Sequence, residues 1–536
     1  MDEQVRGKKV AVARAIAAIA AIAAAVAGAV WGTHVAGGPD SYCYLSQAEL
    51  FASGQIAHSE PLAAIAPWSR GSEAFVPVGH VPAARRIGAS VPMCSPGYPM
   101  AMAAARLVGG RTAMFAIVPL CGAAAVWLTF MLGRRLAGAG AGAMAAVLLA
   151  FSPAFLYQIV QPMSDVPAAA AWAAALVSVT HPRLTTSIAR AMAGGMFTGL
   201  ALLVRPNLAP LAVVVALVVF TVRPLDMRTI IRTWAAFAIG ALPSVVIVAS
   251  LQNAMYGGPL KSGYGDLDFL FRLDHVWPNL QRYPVWLIQT ETPIVLLALA
   301  TPWLTRDAVT KRRVLWMLGF VLAVFACYIP YEVFDAWWFL RFLLPAYPAL
   351  LVLTAAALGW VVERRGSRWR LAGYAACAIV AVMLVRESIQ RHAFGLWEFE
   401  RRFRLAGEYV DSTLPPNALV FAAQETGSVR FYSNRVTIAW RALPPDALEP
   451  ALAFVRAHDY RPYLLIENGE QQEFVDHFQA KSPIGSLAWP PIADINHVLR
   501  IYDPEDYVKY RAGQRITTER IWTKRDRVLT RFRVSH

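Results

Sequence analysis

The sequence predicts a polytopic α-helical membrane protein of about eleven transmembrane helices, followed by a C-terminal extracytoplasmic α/β domain. Three observations carry that expectation. Of 536 residues, 57% are hydrophobic and only 16% charged, well below the ~25% charged of an ordinary soluble domain; mean hydropathy is +0.43. Apolar runs of spanning length, roughly 17–25 residues, recur from the N-terminus to residue 389. Basic residues crowd into every second loop between those runs, the asymmetry of cytoplasmic loops. The net charge of +15 therefore belongs to membrane topology. A nucleic-acid binder would gather a basic face with aromatics on a soluble module, so nucleic acid is excluded as a partner.

The first run, 10–30, follows Arg6, Lys8 and Lys9. It exceeds the roughly 7–15 apolar residues of a signal peptide, and Gly32-Thr33-His34 is a poor cleavage site. It reads as an uncleaved span with a cytoplasmic N-terminus. A Pro- and Gly-rich segment, 31–111, forms the first outside loop. Within it, Pro96-Gly97-Tyr98-Pro99 leads into a short apolar stretch ending at Gly109-Gly110, which reads as a helix lying at the interface.

Further spans fall near 112–133, 138–158, 165–180, 188–204, 207–222, 233–252, 284–304, 314–331, 339–362 and 371–389. Arg205-Pro206-Asn207 breaks the long apolar stretch 188–222, because proline cannot donate a backbone hydrogen bond and disfavours helix at the residue before it. Two short helices meeting at the outer surface result. The inside loops hold Arg134 and Arg135; Arg183 and Arg190; Arg223, Arg228 and Arg232; Arg306, Lys311, Arg312 and Arg313; and Arg364, Arg365, Arg368 and Arg370. An odd number of spans places the C-terminus outside. A composition rich in Ala, Arg and Pro points to a bacterial source, and so to the cytoplasmic (inner) membrane of a bacterium.

Residues 390–536 change character: charged, with no spanning run. Ala418–Ala423, Tyr463–Glu467 and His497–Tyr502 have the length or alternation of strands. Pro445 to His458 and Gly469 to Ala480 read as helices. Strands alternating with helices predict a mostly parallel sheet. The chain thus divides at 389/390. Of five cysteines, Cys121, Cys327 and Cys377 lie in apolar runs and read as packing residues. Cys43 and Cys94 share the first outside loop; an oxidising compartment would allow a bond between them, which spacing alone does not establish.

Charge at the outer ends of spans marks the candidate site. Asp40 sits just past the first span, with Tyr42 and Tyr44 beside it. Ionisable groups near membrane depth are costly and therefore functional candidates; a solvated loop Asp ahead of a helix is the plain alternative. Asp165, in Gln161-Pro162-Met163-Ser164-Asp165, heads another span. There Ser164 or Asp165 can simply cap the helix, with Pro167 in its first turn. Arg205, Lys261, Arg272 and Arg341 are outer-side cations suited to a lipid phosphate, Arg as a bidentate fork and Lys as a point charge; interfacial anchoring is the alternative. Glu332, Asp335 and Arg341 can pair among themselves, and Trp337 and Trp338 fit an interfacial aromatic belt. The turn-rich loop Tyr256–Gly265, with Lys261 and Tyr264, can fold over a cleft.

In this order the features resemble the GT-C superfamily of membrane glycosyltransferases, in the group of protein O-mannosyltransferases and lipid A aminoarabinose transferases. The resembling parts are the acid after span one, the long first loop with its Pro-Gly-Tyr-Pro lead-in, the acid of the second outside loop, the Val204-Arg205-Pro206 break, and Leu340-Arg341 through Tyr347-Pro348. The likeness spans roughly residues 10–390. It implies that Asp40 is the first-loop catalytic acid and Asp165 the second-loop acid. It implies an inverting transfer from a polyprenyl-phosphate-linked sugar to a glycan, lipid or protein acceptor. Tyr42, Tyr44, Arg205, Lys261, Tyr264, Arg272 and Arg341 would bind substrate. The family often carries paired acids after span one; here Ser41 follows Asp40. No DxD signature accompanies Asp165. No motif demands a cofactor, and a divalent metal is left open. A lipid or glycan transporter is the alternative, though it would place ionisable residues at the bilayer midplane in paired broken helices. A scaffold built on the C-terminal domain is the third reading.

Overall fold

The structure is a computed structural model, and it describes residues 2–222, 225–265, 267–365, 368–524 and 527–536. Arg223, counted above among the inside cations, lies outside them. Among the described residues five helical stretches, or six if a bent pair counts as one span, are long and apolar enough to cross a membrane, fewer than the eleven crossings expected: Gly7–Val30, Gly97–Phe151, Met227–Tyr256, Trp337–Val362 and Leu371–Gln390. The second is interrupted by non-helical backbone at Gly109–Gly110 and again at Ala137–Gly138. The later break follows Arg134 and Arg135 and separates the two apolar windows read there. Shorter apolar helices cover Asp165–Val179, Ile188–Val204 and Pro210–Thr221. The Arg205-Pro206 break falls as expected, between helices ending at Val204 and beginning at Pro210.

One window departs from its expectation. The run 284–304 is not a straight span: the helical segments Leu273–Glu291 and Pro293–Leu304 meet at 116°. Thr292 takes a left-handed φ of 65° there, and Pro293 cannot continue the hydrogen-bond ladder. Apolar composition sets where a chain may sit in a bilayer, not whether it stays straight.

Small residues let two helices approach closely. A Cβ on Gly195 would overlap Phe237 backbone, and one on Gly240 would overlap Met192 backbone. Ile188–Val204 and Met227–Tyr256 thus pack backbone to backbone, as membrane helices do through small-residue stripes.

The segment 31–111, expected to be the first outside loop, is folded. Helix Gly38–Ala52 opens after Gly38, whose φ of 54° is cheap only for glycine. Pro39 in its first turn suits the helix start. Strands β1 (His58–Ser59), β2 (His80–Pro82) and β3 (Ala89–Pro92) form an antiparallel sheet in the order β1-β3-β2. Cys43 and Cys94 are disulfide-bonded, with Cα atoms 6.1 Å apart, fastening that helix to the chain just ahead of helix Gly97–Ala113.

Beyond helix Leu396–Thr413 the chain builds β4 (Ala418–Ala422), β5 (Val436–Ala439), β6 (Arg461–Glu467), β7 (Ala493–Ile495), β8 (Leu499–Tyr502), β9 (Thr517–Lys524) and β10 (Arg527–Ser535). They form one sheet, β10-β9-β7-β8-β6-β4-β5. The expected mostly parallel sheet is instead mixed. The β4–β5, β4–β6 and β7–β9 pairs are parallel, while β6–β8, β7–β8 and β9–β10 are antiparallel. The difference arises because the short β7, which the sequence did not mark, turns straight back into β8, so β8 enters the sheet reversed against β6.

Both faces of β4 are buried, which explains its unbroken apolar run. Val420 and Ala422 pack against Ala406 and Val410 of helix Leu396–Thr413. Leu419 and Phe421 face a core that also takes Ala63, Ala74 and Phe75 of the first outside loop. Arg430 fixes that contact, pairing with Glu60 and donating to the backbone carbonyls of Phe75 and Thr437. The C-terminal sheet and the first loop therefore share one hydrophobic core.

Candidate functional site

A cavity of about 1230 Å³ lies where the first loop, the ends of several apolar helices and helix Leu396–Thr413 meet. Helical period decides what the first loop shows to it. Asp40, Tyr44 and Gln47 share one face of helix Gly38–Ala52 and line the cavity. Tyr42 points the other way. It is buried against the His80 ring, 5.0 Å between centroids, and fills the space beside Gly427. Tyr42 is therefore a packing residue, not the substrate contact expected. Burial pushes its phenol well above the ordinary range.

Two arginine–carboxylate pairs stand at the cavity. Arg341 Nη2 donates to Asp40 Oδ2 at 2.8 Å. Asp40 keeps 37% of its side chain exposed, so the cavity reaches it. Arg205 Nη2 donates to Asp165 Oδ1 at 2.5 Å. Asp165 is only 1% exposed and stands behind the wall rather than in it. Its role here is to hold Arg205. The expected cap is absent: Ser164, at the cap position, makes no capping hydrogen bond. Its hydroxyl instead accepts from Arg205 Nε at 3.3 Å and shares a 2.8 Å hydrogen bond with Tyr44 OH. Arg205 Nη1 and Asn207 Nδ2 both donate to Tyr328 OH, at 3.3 and 3.0 Å. This network presets the guanidinium's orientation.

Phe342 joins the two cations. The guanidinium carbons of Arg341 and Arg205 lie 5.1 and 5.8 Å from its ring centroid, within cation–π range. Tyr328 stacks on the same ring at 5.1 Å. Two guanidinium groups brought to one cavity are suited to an anion with several oxygens, which their planar forks match.

The loop expected to cover a cleft does so. Leu260, Ser262, Gly263 and Tyr264 line the cavity, and Tyr256 OH donates to the Pro92 carbonyl at 2.6 Å. Burial pushes the Tyr264 phenol up, and that of Tyr44 up to about 12, so both stay neutral hydrogen-bonding groups. Lys261 and Arg272 are not brought to the cavity wall. Lys261 is exposed, and Arg272 is exposed and paired with Asp274. The proposed internal pairing of Glu332, Asp335 and Arg341 also gives way: Asp335 pairs with Arg282, Arg341 with Asp40, and Glu332 lines the cavity.

The C-terminal part contributes what sequence reading did not find. Phe399, Glu400, Arg402, Phe403 and Gln424 also line the cavity. Tyr328 was also missed; a lone phenol at the outer end of an apolar span was its only signal. Nothing near Glu400 in sequence marks it. Behind Gln424, Glu425 and Glu470 are buried together, and burial raises both carboxyls.

A divalent metal, left open above, finds no ligand set: among the described residues no group of three or more His, Cys, Asp and Glu side chains is placed to hold an ion. Asp40 and Asp165 are each turned to an arginine instead.

Neither a protein-family model nor a curated protein sequence matches this chain. Solved structures do. ArnT from Cupriavidus metallidurans bound to undecaprenyl phosphate is similar at a TM-score of 0.56 and 14% identity, over 86% of this chain and 94% of that one. Its apo state is similar at 0.56 and 14%, over 91% and 96%. The Archaeoglobus fulgidus oligosaccharyltransferase AglB, in complex with an inhibitory peptide and a dolichol-phosphate, is similar at 0.56 and 12%, over 89% and 72%. These are GT-C glycosyltransferases, and this chain has a GT-C-like fold.

Proposed function

We propose that this protein is a membrane glycosyltransferase that moves a sugar from a polyprenyl-phosphate donor to an acceptor at the outer face of the membrane. The observation that carries the reading is the pair of guanidinium groups, Arg205 and Arg341, stacked about Phe342 in the cavity that Asp40 also lines. The solved relatives that hold undecaprenyl phosphate and dolichol-phosphate in the same fold add support.

In this reading Asp40 is the general base. It takes the proton of the acceptor hydroxyl as that oxygen attacks the anomeric carbon. The bond from that carbon to the phosphate oxygen breaks, and the leaving polyprenyl phosphate gains negative charge. Arg205 and Arg341 stabilise that charge where it develops. Asp165, from behind the wall, and Ser164 and Tyr328, which line the cavity, keep Arg205 aimed. A single displacement inverts the anomeric centre. The donor's tail cannot leave the bilayer, which explains why the chemistry sits at the ends of spans.

We further read residues 1–389 as a transmembrane domain of about eleven crossings with a cytoplasmic N-terminus, and 390–536 as an extracytoplasmic domain. The alternating basic loops and the Cys43–Cys94 bond, which suits an oxidising compartment, support that orientation. A bacterial cytoplasmic membrane fits it.

The test is sugar transfer in proteoliposomes with a panel of polyprenyl-phosphate sugars, wild type beside Asp40→Asn. Release of polyprenyl phosphate by the wild type, reduced ~10²–10⁴-fold in the variant, is expected for a general base. A fully active, folded variant would sink the mechanism.

A further inference from the structure

The transfer proposed above needs an acceptor, and the following rests on that reading. We propose that the cavity wall built by helix Leu396–Thr413 is the acceptor subsite, that it takes a glycan of more than one ring, and that Glu400 holds a hydroxyl of the ring nearest the transfer point.

The two walls differ in chemistry. Arg205 and Arg341 come from the helical region, while the C-terminal part brings Phe399, Glu400, Phe403, Gln424 and an Arg402 already engaged by Glu467. A carboxylate and an amide beside aromatic rings match a neutral polyol. The carboxylate accepts hydrogen bonds from hydroxyl groups, the amide can donate or accept, and ring faces take the apolar side of a sugar.

Position favours Glu400 in particular. Its Oε2 occupies the space a Cβ on Gly37 would need. Gly37 is the N-cap of the helix whose first turn carries Asp40, and one helical turn advances only about 5.4 Å. An acceptor ring on Glu400 therefore lies beside the proposed base. Arg402, the ion-pair partner of Glu400 at 3.8 Å, is itself engaged by Glu467. Glu400 is thus loosely tied, and burial raises its carboxyl.

Size and continuity extend the subsite. Small-molecule pockets run to roughly 300–1000 Å³, so about 1230 Å³ holds a donor head group and an acceptor ring together. A second cavity of about 350 Å³ shares Phe399 and Arg402 with the first and continues to Asn496, Thr523 and Lys524. Leu405, Ile495, Val498 and Leu499 also line it, so the path offers both apolar faces and polar groups. An extended peptide would seek main-chain partners along a strand edge; side chains of a helix do not supply them.

The experiment is saturation-transfer NMR on the full-length protein in nanodiscs. The probes are mannotriose, maltotriose, arabinotriose and a serine/threonine peptide. Binding of undecaprenyl phosphate is titrated in parallel. At least one trisaccharide is expected to bind, about tenfold more weakly in both Glu400→Gln and Phe399→Ala, with undecaprenyl phosphate binding retained. Phe399 is largely exposed, so its variant guards against a folding defect in the other. Binding of the peptide alone, of no trisaccharide, or of a trisaccharide with wild-type affinity in both variants would overturn the acceptor subsite. Failure of the wild type to bind undecaprenyl phosphate would instead overturn the donor reading.

Discussion

Arg341 donates to Asp40 across 2.8 Å although 301 positions separate them. The first loop after span one and the helix Trp337–Val362 thus meet at a single ion pair, at the cavity wall. Both partners are partly accessible, so the pair contributes about 1 kcal/mol or less to stability. Its value lies in placement. Arg341 can donate to Asp40 and to a phosphate from different nitrogens, keeping base and leaving group in one frame.

Arg341→Lys should therefore fold normally yet lose function. Lysine keeps the charge but neither the fork nor the stacking over Phe342. Polyprenyl phosphate should bind at least ~10-fold more weakly, as one charge-assisted bond of ~1.5–3 kcal/mol is lost. Titration of the lipid phosphate into nanodiscs reads this. An unchanged affinity would remove Arg341 from the donor site.

Asp165 should matter first for stability. Asp165→Asn leaves the Arg205 guanidinium buried without its counter-charge, at a cost of about 3–5 kcal/mol. Replacing both by apolar residues, Asp165→Leu with Arg205→Met, should recover much of that stability without restoring transfer. Thermal unfolding alongside transfer assays separates the two effects. Recovery of transfer in the double variant would show that Arg205 has no part in the reaction.

Gly427→Ala should damage the site from outside it. A Cβ there overlaps the Tyr42 ring, on the helix that carries Asp40. Overpacking of this kind costs about 1–3 kcal/mol, and any relief by moving the helix displaces Asp40. Transfer should fall although Gly427 does not line the cavity. Gly469→Ala, where a Cβ meets nothing within 4 Å, is the control. Equal activity in both variants would disconnect Tyr42 from the base.

The buried Glu425 and Glu470 predict a pH dependence. Burial lifts Glu470 from the ordinary 4.5 to about 7, and Glu425 well above its ordinary value. A folded-state value above the unfolded one favours the protonated native form. That contribution is complete below pH ~4.5 and is lost as pH rises through about 7. The melting temperature should thus fall from pH 5 toward pH 8. Glu425→Gln with Glu470→Gln should flatten the profile. A wild-type profile that rises over this window would contradict the burial of these acids as neutral groups.

Much of this was legible along the chain. The Arg205-Pro206 break and the core strands β4, β6 and β8 follow from local composition. Tyr44 and Tyr42 were not told apart, though the helical period separates their faces once Gly38–Ala52 is known to be a helix. The bend at Thr292 escaped because hydropathy averages over a window and does not see a single strained residue.

The sequence by itself determined that apolar runs alternate with basic loops and that Asp40, Asp165, Arg205 and Arg341 fall at the ends of those runs, since hydropathy and charge placement are properties of short segments. Only the tertiary structure decided that Asp40 takes Arg341 and Asp165 takes Arg205, that Phe342 joins the two cations, and that Glu400 closes the cavity. Those choices depend on how distant helices pack, and a charge in a linear chain carries no record of which partner the packing will bring within 3 Å.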